Sequence, residues 1–151
     1  MAIRTILVPI DFSACSRAAL DQAIDLARLV SARLVLLHSY WVSVSLTPVS
    51  SLSWTIPPDF LEKMREGTGA ELEQLTKRAA QMGVACESRV SAEPAVSCIL
   101  ELAKTLPADL IVMGTHGHTG LKHIMLGSTA ERIVRLAPCA VLTVKVKTPE
   151  S

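Results

Sequence analysis

Five short apolar runs alternate with four amphipathic patterns along this 151-residue chain. The runs have the length and the Val, Ile and Leu content of buried strands, and the stretches between them space apolar residues as an α-helix does. The alternation predicts an α/β fold: an open five-stranded, mainly parallel sheet with helices on both faces. The predicted strands are residues 3–10, 33–39, 84–90, 109–113 and 140–146, and the predicted helices are residues 15–30, 59–82, 94–105 and 128–136.

The remaining segments define the expected domain organisation. Residues 1–151 are long enough for one domain with a sizeable core, and we expect a single domain. Residues 40–58 are rich in Ser, Thr and Pro, which indicates a long loop or lid inside that domain. Residues 147–151 are expected to form a frayed tail. The third strand alternates polar and apolar residues, as an edge strand does.

Composition argues against several classes of function. The chain has 15 basic and 14 acidic residues, a net charge of +1 and no basic stripe with interleaved aromatics, so no nucleic-acid partner is expected. No apolar run reaches membrane-spanning length and the N-terminus lacks the features of a signal peptide, so we expect a cytoplasmic protein that does not bind membranes. The cysteines lack zinc-ligand spacing, and His116 and His118 have no third ligand at a suitable distance, so we expect buried free thiols and no metal site. The cysteines are Cys15, Cys86, Cys98 and Cys139.

Two glycine clusters give the clearest chemical signal. Gly114 and Gly117 follow the fourth predicted strand, and after nine further residues Gly127-Ser128 opens the fourth predicted helix. Glycine lets backbone N–H groups approach an anion closely, and a helix N-terminus attracts negative charge. The spacing predicts a phosphate cradle that is neither a Walker A loop nor the dinucleotide fingerprint. Ordinary turn and cap chemistry is the alternative interpretation.

Polar residues that follow the first two strands point to the same place. Ligands of open α/β sheets bind beyond the carboxyl ends of the strands, where Pro9, Asp11 and Ser39 lie. Asp11, the only acidic residue among the candidates, could accept hydrogen bonds from ribose hydroxyls. It could also cap the following helix, for which Ser13 is the other candidate, and the two roles can coexist.

Taken together, these motifs resemble the universal stress protein family over essentially the whole chain. The family pattern G-2x-G-9x-G-[S/T] is matched by Gly114, Gly117, Gly127 and Ser128; the Pro-x-Asp turn by residues 9–11; the histidine that ends the second strand by His38; and M-G-[ST]-[HR]-G by residues 113–117. The resemblance implies a Rossmann-like, adenine nucleotide α-hydrolase-like fold with strand order 3-2-1-4-5. Ala92 departs from the family glycine before the third helix, and His118 stands where Lys or Arg is common.

The chain resembles the ATP-binding branch of the family, and this resemblance implies both a ligand and the residues that would bind it. The expected ligand is ATP, or AMP or ADP, with Mg²⁺ held through the nucleotide. Ser39 would contact adenine through its backbone, and Pro9 and Asp11 would flank adenine and ribose. The residues implied to hold ribose and phosphates are Met113, Gly114, Thr115, His116, Gly117, His118, Gly127, Ser128 and Thr129.

The function implied by the resemblance is a nucleotide-dependent regulatory homodimer in the stress response. We identify no catalytic residue and expect at most slow ATP hydrolysis, because no acidic pair accompanies the glycine loop. Lys122 and His123 either reach a γ-phosphate or lie in a solvated loop. The last predicted strand is an apolar edge through which the family commonly dimerises, with Val141, Leu142, Thr143, Val144, Lys145 and Val146 as the dimer strand.

An interaction or adaptor module with weak or no nucleotide binding is the alternative function. Its partner surface would be the aromatic segment Tyr40–Phe60, which holds most of the aromatic side chains of the chain. In the competing interpretation Trp41 and Trp54 pack as a lid on the protein's own core.

Overall fold

The computed structural model describes residues 2–41, 57–117 and 126–146. Its elements are β1 (Thr5–Pro9), α1 (Ala14–Val30), β2 (Arg33–Ser39), α2 (Pro58–Gln81), β3 (Cys86–Ser91), α3 (Ala95–Thr105), β4 (Leu110–Gly114), α4 (Ser128–Leu136) and β5 (Ala140–Val144). The strands form one parallel sheet in the order β3-β2-β1-β4-β5. The predicted fold class and strand order are confirmed, and β3 is an edge strand as predicted.

The fifth strand is shorter than the sequence predicts. It ends at Val144, which pairs with Gly114, the last residue of β4. The Thr115 N–H then donates to the Val144 carbonyl oxygen at 3.0 Å, after which β4 offers no further paired residue. Lys145 and Val146 therefore lie beyond the strand, because its neighbour has already turned away.

The three inner strands of the sheet, β2, β1 and β4, are buried on both faces, as their apolar sequences predict. Side chains alternate along each strand, so that β1 presents Ile6 and Val8 to one core and Leu7 to the other. The first core is closed by α1 and the second half of α2, and the second core is closed by α3 and α4. Because all the strands are parallel, their carboxyl ends lie at the same edge of the sheet.

Helix α2 has two halves with different surroundings. The periodicity of this segment places Leu61, Leu72, Leu75, Ala79 and Met82 on one face, but only Leu72, Leu75 and Ala79 of these are buried, while Leu61 and Met82 are 44% and 38% exposed. No position from 58 to 71 is buried, because this half of the helix lies beyond the core that the sheet provides. The helix ends where expected, since Gly83 adopts φ +82°, a conformation that favours glycine.

The edge of the sheet opposite the carboxyl ends is fixed by Asp109. Its carboxylate accepts the backbone N–H groups of Arg4 and Thr5 at 2.9 and 3.0 Å, and these donors hold the pKa of the Asp109 carboxyl below its usual range. The Asp109 N–H in turn donates to the Thr5 carbonyl oxygen at 3.0 Å. These bonds set the register in which Ile6 pairs with Leu110.

Two further expectations concern the membrane and the thiols. Within the part of the chain that the structure describes, no helix combines the length and apolar character needed to span a bilayer. All the cysteines are free, but only Cys98 is buried, while Cys15, Cys86 and Cys139 are partly exposed. Burial was therefore predicted correctly for Cys98 alone.

Candidate functional site

The turn after β1 is held rigidly by its own polar groups. Ser13 is the N-cap of α1, since its Oγ accepts the Ser16 N–H at 3.2 Å. Asp11 does not cap the helix itself: its Oδ1 accepts the Ser13 N–H at 2.9 Å and the Ser13 hydroxyl at 2.5 Å. Phe12 between them has φ +63°, in the left-handed region. Both capping candidates thus contribute, and the Asp11 carboxylate is fixed in position.

The end of β2 is tied to that turn and to the loop after β3. The His38 ring lies 4.9 Å from the Phe12 ring, and its Nδ1 is 2.7 Å from the Ile10 carbonyl oxygen. The Ser39 hydroxyl donates to the Glu93 carbonyl oxygen at 2.6 Å. His38, the penultimate residue of β2, therefore supports the turn that contains Asp11.

The glycines of the motif allow parts of the chain to approach each other. A Cβ on Gly114 would lie 2.7 Å from the Cys15 Cβ and 2.8 Å from its carbonyl carbon. A Cβ on Gly117 would lie 2.6 Å from Asp11 Oδ2, and one on Gly127 would lie 2.9 Å from the Thr115 carbonyl oxygen. The sequence interpretation assigned these glycines to an anion and did not foresee these internal contacts.

A cleft of about 610 Å³ opens at the carboxyl edge of the sheet. This volume lies in the range of small-molecule sites. His118 lies outside the described residues, as do the further candidates Lys122 and His123. The other predicted nucleotide-binding residues all line the cleft: Pro9, Asp11, Ser39, Met113, Gly114, Thr115, His116, Gly117, Gly127, Ser128 and Thr129. The structure thus brings three separate sequence motifs to one cavity.

The cleft also has walls that sequence reasoning missed. Helix α3 contributes Ala95, Cys98 and Ile99, which share one face at helical spacing, and α4 contributes Glu131. Asp11 is therefore not the only acidic residue of the site. The other additional lining residues are Ile10, Ser16, Leu37, Leu126 and Ala130. The helical periodicity of α3 was visible in the sequence, but nothing there indicated that this face meets the end of β2.

The two ends of the cleft differ chemically. At the β2 end Leu37, Ile99 and Cys98 form an apolar wall, and burial raises the pKa of the Cys98 thiol, which donates to the Ala95 carbonyl oxygen at 3.3 Å. At the β4 end lies the N-terminus of α4, whose N-cap is Gly127 and so offers no side chain to the first-turn N–H groups. Such donors and the positive end of the helix dipole favour an anion. Asp11 follows β1, which lies between these two ends.

Among the residues that the structure describes, no three His, Cys, Asp or Glu side chains converge on one point. Within the cleft, His116 Nδ1 lies 3.0 Å from the Thr115 hydroxyl.

A parallel sheet of this order with a glycine-lined cleft at its carboxyl edge defines a Rossmann-like α/β protein. The family model described as the Universal stress protein family matches residues 2–145. The chain belongs to this family, which confirms the resemblance seen in the motifs.

Individual relatives agree with this assignment. Universal stress protein YxiE of Bacillus subtilis is 37% identical over 144 residues, covering 92% of this chain and 97% of the relative. The solved structure of hypothetical protein MJ0577 of Methanocaldococcus jannaschii has a TM-score of 0.84 at 26% identity and covers 98% of this chain and 99% of its own. A universal stress protein solved in complex with cAMP has a TM-score of 0.71 at 25% identity and covers 96% and 98% respectively.

Proposed function

We propose that this protein binds ATP, ADP or AMP in the cleft and acts as a nucleotide-dependent regulator in the stress response, in the cytoplasm. The observation that carries the proposal is the convergence of the Pro-x-Asp turn, the end of β2 and the glycine motif on one cavity. The family membership and a structural relative that binds cAMP support an adenine nucleotide as the ligand.

The order of groups along the cleft matches the order of groups in a nucleotide. Adenine would lie at the apolar end, between Leu37 and Ile99, with the backbone of Ser39 at its edge. The ribose would lie over the end of β1, beside Pro9 and Asp11. The phosphates would reach the anion-favouring end, which is built from Met113, Gly114, Thr115, His116, Gly117, Gly127, Ser128 and Thr129.

The donors of the cleft fit Mg²⁺ bound together with phosphates. Mg²⁺ would be held mainly through the phosphates, and Glu131 in the first turn of α4 supplies carboxylate oxygens, which a hard divalent cation prefers, at that end of the cleft. Glu131 Oε1 also pairs with Arg135. When bound, the cation would neutralise phosphate charge at the N-terminus of α4. We assign no catalytic residue and propose at most slow hydrolysis of ATP.

The first test is direct titration of nucleotide into the stripped protein. Any nucleotide retained through purification is identified by mass spectrometry after denaturation, and ATP with Mg²⁺ is then titrated by calorimetry at two temperatures. We expect retention or a micromolar dissociation constant. The absence of both retained nucleotide and binding heat would contradict the proposal.

The location of the bound nucleotide can be tested on the same samples by cysteine alkylation. Cys98 lines the cleft, whereas Cys139 lies in the connection between α4 and β5 and does not. Saturating ATP should therefore slow alkylation of Cys98 by iodoacetamide and leave Cys139 unchanged, as quantified by peptide mass spectrometry. Binding heat without protection of Cys98 would mean that nucleotide binds elsewhere.

We also propose that the protein is a homodimer that pairs through β5. This strand is at the edge of the sheet and hydrogen-bonds to β4 on its inner side. Leu142 and Val146 nearby are 41% and 43% exposed, and Val134 and Leu136 at the end of α4 are 51% and 52% exposed. An apolar edge of this kind is covered by pairing with another chain.

Replacing Leu142 with glutamate should convert the dimer to a monomer. The side chain is partly exposed in the single chain, so the charge is tolerated there, but in a dimer it would lie next to the apolar side chains of the paired strand. Size-exclusion chromatography with light scattering measures the mass. Leu29→Glu is the matched control, because Leu29 is 83% exposed on α1. A dimer that persists in Leu142→Glu would exclude β5 as the interface.

An interaction module is the second candidate function. Trp41 is 55% exposed and Phe60 is 47% exposed, so neither packs into the core, whereas Trp54 lies outside the described residues. Exposed aromatic side chains are typical of partner surfaces. This candidate gains support only if the nucleotide titration fails.

A further inference from the structure

We propose that Arg17 is a positioning residue of the nucleotide site. Its guanidinium contacts Phe12 in the turn after β1 and pairs with Glu71 on α2. Arg17 does not line the cleft, so it acts through the turn and not on the ligand. This inference rests on the proposed function, because it concerns how a turn that lines the cleft is held ready for the nucleotide.

The turn that positions Asp11 contains a strained residue. Phe12 has φ +63°, and a residue with a Cβ adopts this left-handed conformation only at a steric cost, which is largest for bulky side chains. Asp11 and Ser13 on either side of Phe12 hydrogen-bond to each other, so the Phe12 conformation determines where the Asp11 carboxylate lies. Strain of this kind persists only where the surroundings hold the residue in place.

The surroundings that hold Phe12 include His38 and Arg17. The His38 ring lies 4.9 Å from the Phe12 ring, and the guanidinium carbon of Arg17 lies 6.0 Å from the ring centroid, at the outer limit of cation–π attraction. Arg17 Nε also donates a long hydrogen bond of 3.4 Å to the Phe12 carbonyl oxygen. Both contacts of Arg17 are weak by themselves, so they depend on what fixes the guanidinium.

Glu71 fixes the guanidinium from a second helix. Its Oε1 lies 2.8 Å from Arg17 Nη2, and it belongs to α2, whereas Arg17 is the fourth residue of α1. A cation is disfavoured near the N-terminus of a helix, so the contacts with Phe12 and Glu71 account for arginine at this position better than the helix does. The ion pair thus connects the turn to a helix that contributes no residue to the lining of the cleft.

Loss of Arg17 should lower nucleotide affinity without changing any group in the cleft. When the turn populates its strained conformation less, the apparent dissociation constant rises in inverse proportion to that population. We expect Arg17→Ala to weaken ATP binding by about three- to tenfold in calorimetry. Arg17→Lys retains a charge that can lie over the Phe12 ring and pair with Glu71, so it should recover most of the affinity.

Arg78→Ala is the matched control. Arg78 also joins α2 to α1, through Asp21 at 2.6 Å, and its side chain is 47% exposed, against 45% for Arg17. Asp21 lies one helical turn beyond Arg17, on the side away from Phe12. Both alanine variants lose one ion pair between the helices and one positive charge, but only Arg17→Ala should bind ATP more weakly. Equal losses of affinity would overturn the inference, since the connection between the helices would then be the cause.

A second pair of variants tests whether Arg17 acts through Phe12. Glycine adopts φ +63° without the steric cost, so Phe12→Gly leaves little strain for Arg17 to oppose. Adding Arg17→Ala to Phe12→Gly should therefore change ATP affinity by less than about twofold. An effect as large as the one in the wild-type background would assign the role of Arg17 to its long-range charge and overturn the inference.

A measurement without nucleotide separates this inference from the proposed function. The Ser13 amide donates to Asp11, and its hydrogen exchange, followed by NMR, should be faster in Arg17→Ala than in wild type and unchanged in Arg78→Ala. Equal exchange in all three proteins, or equal ATP affinity of wild type and Arg17→Ala, would overturn the inference and leave the proposed function intact. Failure of wild-type protein to bind any adenine nucleotide would overturn both.

Discussion

Replacing Gly114 with alanine is expected to lower the free energy of unfolding by about 1–3 kcal/mol. The added methyl group would lie 2.7 Å from the Cys15 Cβ and 2.8 Å from the Cys15 carbonyl carbon. Both of these atoms belong to the first turn of α1, which the Ser13 cap and the Asp11 carboxylate hold in place. Neither β4 nor α1 can move aside cheaply, because both are packed in the core.

Urea denaturation followed by circular dichroism measures this difference. Gly69→Ala is the matched control: Gly69 lies inside α2, and no other group is within 4 Å of the position of its added Cβ. Alanine there should raise the free energy of unfolding by about 0.5–1 kcal/mol, since it favours the helix and restricts the unfolded chain. If Gly114→Ala were as stable as wild type, the prediction that β4 and α1 pack too closely for an added methyl group would be contradicted.

The order of strands and helices could be predicted because apolar residues are spaced differently in strands and in helices, and this spacing is visible in the sequence. The bounds of α4, Ser128–Leu136, were predicted without error because Gly127 and Pro138 delimit it. The end of β5 could not be predicted, since Lys145 and Val146 continue the alternation of polar and apolar residues seen at Thr143 and Val144 after β4 has stopped providing a partner. Leu61 lies on the same apolar face of α2 as Leu72 and is nevertheless exposed, because periodicity identifies a face but does not show whether another element covers it.

Site residues could be predicted from the sequence only where they belong to a local motif. The Pro-x-Asp turn and the glycines could be identified from spacing, whereas Cys98, Ile99 and Glu131 line the cleft because of where α3 and α4 pack. Spacing also could not distinguish contact with a ligand from contact within the chain. Gly114 and Gly127 show the difference, because a side chain on either would meet the protein's own atoms.

A test of the proposed phosphate end must therefore avoid the glycines. Valine at Gly127, for example, would meet the Thr115 carbonyl oxygen, so that loss of binding and loss of structure could not be separated. At Ser128 the effect of a substitution on binding can be separated from its effect on folding. It is exposed, lines the cleft and is the first residue of α4.

Ser128→Asp should weaken ATP binding on the order of 10- to 100-fold, since it places a negative charge where phosphate is proposed to lie. The same charge lies at the positive end of the α4 dipole, so the free energy of unfolding should stay unchanged or rise by about 0.3–1 kcal/mol. Calorimetry and urea denaturation on the same preparation measure the two quantities.

Ser128→Asn separates the effect of charge from that of shape, because asparagine has nearly the same size as aspartate and is neutral. We expect it to bind ATP far more tightly than Ser128→Asp does. Equal affinities of the two folded variants would mean that no phosphate approaches the N-terminus of α4. A loss of affinity in Ser128→Asp alone, with stability retained, would assign that loss to electrostatic repulsion at this helix, because unfolding and steric blockage would both have been excluded.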